Sequence, residues 1–247
     1  NIDNIVWLSS TDANWATKVL SNIDPNKSSA LLRFSNKNAK NGAEKFTTNG
    51  LECIYIPQIP IADITTETAW LYTSIAKYFI LEKYSVYDVI SEIPVEGNES
   101  RKTVSTIKKI FSKIEENIND EPSFSSSVTA LAKYLGYETR QDHIDKLFET
   151  ISDSNYHVAF EQDKYKHIAT TFHSSKGLEF EQVIIFAEDY SLKDMPSIYN
   201  HYVAATRAKN KLIIVKLNNY YANCFQNNLQ NIFSKSGHNI EDVVLFK

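Results

Sequence analysis

Glycine, cysteine and methionine are scarce in this 247-residue chain, which has six, two and one of them respectively. Gly42, Gly50, Gly97, Gly136, Gly177 and Gly237 each stand alone, so no G-x-x-x-x-G-K-[ST] loop is present to cradle phosphates with its backbone amides. Cys53 and Cys224 are too few and too far apart in sequence for a disulfide framework or a zinc ribbon. They read as two reduced thiols of a cytoplasmic protein. No run nears the ~18 apolar residues of a membrane span and no charged-then-apolar leader opens the chain, so neither secretion nor a membrane partner is expected. The first residue is Asn1 rather than methionine, as in a processed or truncated product. An excess of positive charge is also missing: 26 Lys and Arg against 30 Asp and Glu leave a net −4. That balance excludes a generally basic coat for nucleic acid, but not a contact confined to one groove.

What is present is globular. Apolar residues at 43% against 23% charged suffice to bury a core, either of one large domain or of a domain with a sizeable insert. Residues 5–8 form a short β-type run, and residues 9–12 (Ser-Ser-Thr-Asp) offer caps for a helix bearing Trp15, Val19 and Leu20. Residues 29–34 read as a buried strand, Ser35 and Asn36 as a cap, 37–45 as a polar helix, and 51–56 as a strand stopped by Pro57. Strand, helix and strand with such short links point to a parallel sheet covered by helices. From 66 to 90 the apolar spacing turns helical, and Ile93-Pro94 with Gly97-Asn98 breaks it. Helices follow over 101–118 and 124–151, the latter interrupted at Gly136, and no strand is expected between about 62 and 157. Strands return at 168–172, 183–187 and 212–215, with a helix over 197–208. A weak helix and an edge strand at 241–246 close an Asn-rich tail. The fold class is thus α/β, a parallel sheet flanked by helices and interrupted by an all-helical insert, divided as 1–90, 91–160 and 161–247.

Two polar blocks sit where neighbouring residues read as core: residues 171–180, Thr-Phe-His-Ser-Ser-Lys-Gly-Leu-Glu-Phe, and residues 202–209, Tyr-Val-Ala-Ala-Thr-Arg-Ala-Lys. In the first, a buried strand runs into a turn where Gly177 lets the backbone bend or approach a partner closely. Ligands of open α/β sheets gather beyond the carboxyl ends of the strands, where His173, Ser174, Ser175 and Lys176 belong. Hydroxyls, a flat ring and a lysine charge suit phosphates or bases, and Glu179 suits a sugar hydroxyl. Taken singly, each reads as an ordinary turn residue. Arg207 in the second block has the charge to stabilise a transferred phosphoryl group, or alternatively forms a surface ion pair worth about 0–1 kcal/mol.

In their order and spacing the two blocks resemble the fifth and sixth motifs of the UvrD/Rep/PcrA-type superfamily 1 DNA helicases, T-x-H-x-x-K-G-L-E-[FW] and Y-V-A-x-T-R-A. Residues 30–36, Ala-Leu-Leu-Arg-Phe-Ser-Asn, resemble the fourth motif more weakly. The likeness covers about 1–90 and 160–217 and implies the carboxy-terminal RecA-like domain of an ATP-driven motor, with the insert as a reduced inserted subdomain. It implies that Arg207 and Arg33 approach the γ-phosphate of ATP, that Glu179 meets the ribose, and that Gly177 and Lys176 belong to the nucleotide side. Thr171, His173 and Ser174 would contact single-stranded or partly duplex DNA, and Tyr202 would pack. ATP and Mg²⁺ would be held mainly by an amino-terminal RecA-like domain carrying the missing P-loop, since Glu188-Asp189 has no P-loop to serve. Movement would be 3′ to 5′, in repair, recombination or phage defence, with a nuclease or repair partner. The alternatives are a catalytically inert helicase-like binding module, or the motor part of a helicase–nuclease system whose nuclease lies elsewhere, since no Asp/Glu/Lys cluster follows Val215. No metal ligands are assigned within the chain.

Overall fold

The computed structural model describes residues 4–94 and 101–247, so the expected break at Gly97-Asn98 lies outside the described residues. Among the described residues seven strands form one sheet: β1 (Ile5–Ser10), β2 (Ser29–Arg33), β3 (Ile54–Tyr55), β4 (His167–Thr171), β5 (Phe180–Phe186), β6 (Ala208–Leu217) and β7 (Leu245–Phe246). Their order is β3-β4-β2-β5-β6-β1-β7, and every pairing is parallel. The expected parallel α/β sheet is therefore present. β2 and β4, near its centre, are buried along their whole length. This is why their sequences read as nearly continuous core rather than as alternating strands.

Around the sheet lie α1 (Trp15–Leu20), α2 (Asn36–Thr48), α8 (Met195–Ala205) and α9 (Tyr220–Ser236). Ser35 caps α2 as expected, its hydroxyl accepting from the Asn38 amide at 3.2 Å. Gly42 lets α2 lie close to the sheet, because a Cβ there would run into the Leu31 side chain. The caps expected at 9–12 are displaced: Ser9 and Ser10 instead pair with Lys216 and Leu217 of β6, and α1 starts only at Trp15. The tail helix, α9, runs 17 residues. Asn219 caps its first turn, and Gly237, at φ 74°, ends it in the left-handed conformation that glycine adopts without strain.

The chain divides into two compact units, one of residues 1–58 with 162–247, the other of 59–161. Within the second are α3 (Ala69–Ile80), α4 (Val86–Ser91), α5 (Arg101–Glu116), α6 (Glu121–Tyr134) and α7 (Gln141–Ser152). Its start at Ile59 differs from the boundary near residue 90 drawn from the sequence. The cause is packing: Leu71, Tyr72 and Ile75 of α3 and Val89 of α4 share one buried cluster with Phe111, Ile114, Phe124 and Leu147. The sheet unit has its own core, built from Val6, Trp15, Leu31, Phe46, Ile184, Phe186 and Ile213. Among the described residues no strand lies between 62 and 157, and no helix is long and apolar enough to cross a membrane.

Candidate nucleotide and nucleic-acid edges

β4 ends at Thr171 and β5 begins at Phe180, yet β2 lies between them. Residues 172–179 must therefore carry the chain from the carboxyl edge of the sheet back to its amino edge. Parallel crossovers ordinarily take a dozen or more residues, usually with a helix, so this link is a short strap. Its first half is a tight turn: the Ser175 amide donates to the Thr171 carbonyl at 3.1 Å, and the Leu178 amide to the Ser175 carbonyl at 3.0 Å. Phe172 and Ser175 anchor it from below, both buried, with the Ser175 hydroxyl donating to the Phe172 carbonyl at 2.8 Å. Gly177 sits at φ 83°, which an L side chain would resist.

At the amino edge the strap meets the second block. Arg207 occupies the turn between α8 and β6, because the helix stops at Ala205, three residues before its expected end, and β6 begins at Ala208 opposite Phe180. Its Nη1 donates to the Leu178 carbonyl at 3.2 Å, Nε to the Val203 carbonyl at 3.0 Å and Nη2 to the Thr206 hydroxyl at 3.2 Å. The Phe180 amide donates back to the Arg207 carbonyl at 2.9 Å. Three of the five guanidinium N–H groups are thus held by the chain, which fixes the plane of the group. Alongside runs an open cleft of about 380 Å³, lined by Ser28, Tyr165, Gly177, Glu179, Phe180 and Lys209. Glu179 and Lys209 face each other at 3.4 Å, each about half exposed, a contact worth no more than about 1 kcal/mol and open to exchange for a ligand.

The carboxyl edge holds a different set. The Thr171 and Ser174 hydroxyls share a hydrogen bond at 3.0 Å, and the Ser174 amide donates to the Thr171 hydroxyl at 3.2 Å. Thr171 is buried and shapes the turn. His173 is exposed, its ring 3.9 Å from that of Phe172, and Phe34, 54% exposed, flanks the same ring at 5.8 Å. Flat rings in the open suit stacked bases. Lys176 is exposed. Tyr202, read from the sequence as a packing residue, is instead 62% exposed, because Val203 and Ala204 form the buried side of α8.

Arg33 is not brought to Arg207. Leu32 pairs with Ile185 and Ile185 with Ile214, so Arg33 stands level with Val215, seven residues beyond Ala208. At about 3.3 Å per residue that is roughly 23 Å along the strands. Its guanidinium is also buried, with Nε 2.6 Å from Asp189 Oδ2, Nη2 3.2 Å from Glu188 Oε1 and its plane 3.7 Å over the Phe186 ring. Glu188 and Asp189, which had no task in the sequence reading, are thus the counter-ions of Arg33. The available signal was a lone charge in a buried strand and two carboxylates just past another. Because this acidic pair is engaged by Arg33, it does not fit a magnesium ion. The groups at the amino edge, by contrast, fit a nucleotide's sugar and phosphate.

Burial holds the Glu188 carboxyl up at about 7 against an ordinary 4.5, with Arg33 offsetting only part of that cost. Between those values the folded chain binds more protons than the unfolded one, so stability contributed by this group falls as pH rises from about 4.5 to 7. The fall is roughly 3 kcal/mol at ~1.4 kcal/mol per unit. His201 acts in the opposite sense: burial holds it down at about 4, so its contribution is lost as pH falls below 6.5. Glu188→Gln is therefore expected to remove the alkaline-side loss while leaving the acid-side one. Urea unfolding of both proteins at pH 5 and pH 8 checks this, and equal pH slopes would refute it.

Residues 167–215 match the family model of the UvrD-like helicase C-terminal domain. The chain is 36% identical over 181 residues to the Gabija protein GajB of Bacillus cereus (strain VD045), an alignment covering 72% of this chain and 36% of that protein. The chain thus spans about a third of the length of this relative. Both blocks fall inside the matched segment, and over residues 167–215 this chain is similar to the carboxy-terminal domain of the UvrD-like helicases.

Proposed function

We propose that the chain is the carboxy-terminal half of an ATP-dependent DNA translocase or helicase moving 3′ to 5′, working with a P-loop domain that its own sequence does not contain. The observation that carries this reading is the bond from Arg207 to the Leu178 carbonyl, which joins the two blocks at one edge beside Gly177 and Glu179. There Glu179 accepts from a ribose hydroxyl, Gly177 and Lys176 shape the approach, and Arg207 faces a γ-phosphate held by the partner domain. Mg²⁺, when bound with ATP, neutralises phosphate charge and is held by that partner domain. His173 and Ser174, supported by Thr171, take single-stranded DNA at the opposite edge. Arg33 is a positioning residue, fixing the carboxyl edge through Glu188 and Asp189.

In this arrangement the strap is the coupling element, because both ends of an eight-residue link touch a ligand. Displacing one end of so short a link moves the other. The chain alone is expected to show no ATP hydrolysis with single-stranded DNA, and to hydrolyse it once joined to its P-loop domain. In that joined protein His173→Ala should raise the DNA concentration for half-maximal ATPase by about tenfold, the scale of one lost stacking contact. An unshifted DNA titration would remove His173 from the DNA side. A partner such as a nuclease or repair protein belongs to the whole motor and rests on the same reading.

A further inference from the structure

The helical unit carries a groove that the two edges do not use. Residues 101–114 of α5 contain Arg101, Lys102, Lys108, Lys109 and Lys113 and no acidic residue, in a chain whose net charge is −4. Ile107, Phe111 and Ile114 are the buried side of α5. At 100° per residue, Arg101, Ser105, Lys108 and Ser112 fall on one line along a flank about 120° round from that side, roughly 16 Å long. Together with Lys109 and Tyr87 of α4 they line an open cavity of about 520 Å³. Tyr87 is 60% exposed, and Lys108 lies 4.1 Å over its ring while donating to its hydroxyl at 2.6 Å. Among the described residues no carboxylate pairs with any of the five cations.

A solvated helix face usually mixes signs, with Glu and Lys four apart supporting each other. Here one sign, two hydroxyls and an open ring share one groove. Cations and hydroxyls bond phosphate oxygens without reading sequence, and an aromatic face accepts any base.

We propose that the groove between α4 and α5 binds single-stranded DNA, with Arg101, Lys108, Lys109, Ser105 and Ser112 on the phosphate backbone and a base stacked on Tyr87. The groove stands on its own charge pattern; the choice of DNA rests on the function proposed above. The test is fluorescence anisotropy of a labelled oligo(dT) with the 247-residue chain across a salt series, with circular dichroism to confirm folding of each variant. Arg101→Ala/Lys108→Ala/Lys109→Ala is expected to weaken binding at least tenfold at low salt. It should also flatten the slope of log K against log salt by about 2, at ~0.7 per single-strand phosphate contact. Tyr87→Ala is expected to weaken binding with the slope unchanged. Binding by the triple variant within twofold of the parent, with the same slope, overturns the proposal. So does a duplex or polyglutamate that competes as well as the oligo(dT). His173→Ala separates the two readings: loss there with the triple variant unaffected overturns the groove and leaves the carboxyl-edge contact standing.

Discussion

Arg207→Ala is expected to lower the rate of ATP hydrolysis by about 10³-fold or more in the protein that joins this chain to its P-loop domain, the range for arginines that stabilise a transferred phosphoryl group. The guanidinium is held in place before any nucleotide arrives, by the carbonyls of Val203 and Leu178 and the hydroxyl of Thr206. Catalysis by such a group relies on its charge already standing where negative charge develops, with no reorganisation during the reaction. Arg207→Lys should recover little, since an ammonium on a flexible stem cannot hold those three contacts and face a phosphate together. Steady-state turnover at saturating ATP and DNA checks this. The fold should survive either change, because each lost hydrogen bond contributes only about 0.5–1.5 kcal/mol. A turnover within threefold of the parent would place Arg207 outside the chemistry and reduce its role to joining the two blocks.

Arg33→Ala should have its large effect on stability instead. The change strands two neighbouring carboxylates, Glu188 and Asp189, beneath a buried edge, and leaving a buried charge without its partner typically costs about 3–5 kcal/mol. Trp15, 4.9 Å edge-on to Phe186, lies against the ring that the guanidinium covers, so indole fluorescence during urea unfolding reports the site directly. The loss should be largest above pH 7, where Glu188 is ionised beside Arg33 in the parent, and should shrink toward pH 5, where Glu188 is protonated and Asp189 is the one stranded charge. Arg33→Lys keeps the charge but not the fork that meets both Asp189 oxygens, and should fall between. A cost below 1 kcal/mol for Arg33→Ala would free Arg33 from the structural role and return it to the phosphate side.

Much of this was legible before any coordinates. β2, β5 and the end of β6 are apolar runs too short for buried helices and bounded by turn residues, and the two blocks kept their residue types at fixed spacing. What the sequence could not give was which edge of the sheet each block occupies. A turn after a strand ordinarily stays at the carboxyl end. Here residues 172–179 cross the sheet, so Glu179 and Arg207 meet at the amino edge while His173 remains at the other. Only the strand order, with β2 between β4 and β5, reveals this. The partners of Arg33 were hidden for a related reason, since 155 residues separate it from Glu188. Helical spacing in 66–90 says that a face is buried, not against what, so it does not tell which compact unit those helices join.

The outermost strands bear on how the protein behaves at high concentration. β5 carries Val183-Ile184-Ile185-Phe186, an uncharged and strongly β-forming run of the kind that seeds cross-β stacking when its backbone is open. It is enclosed by β2 and β6, and the sheet ends on either side in strands of only two residues, β3 and β7. Margins this short present little unpaired backbone for another molecule to extend. The fold thereby keeps its most self-associating segment on the middle strand, with three strands on either side, and aggregation must await its unfolding.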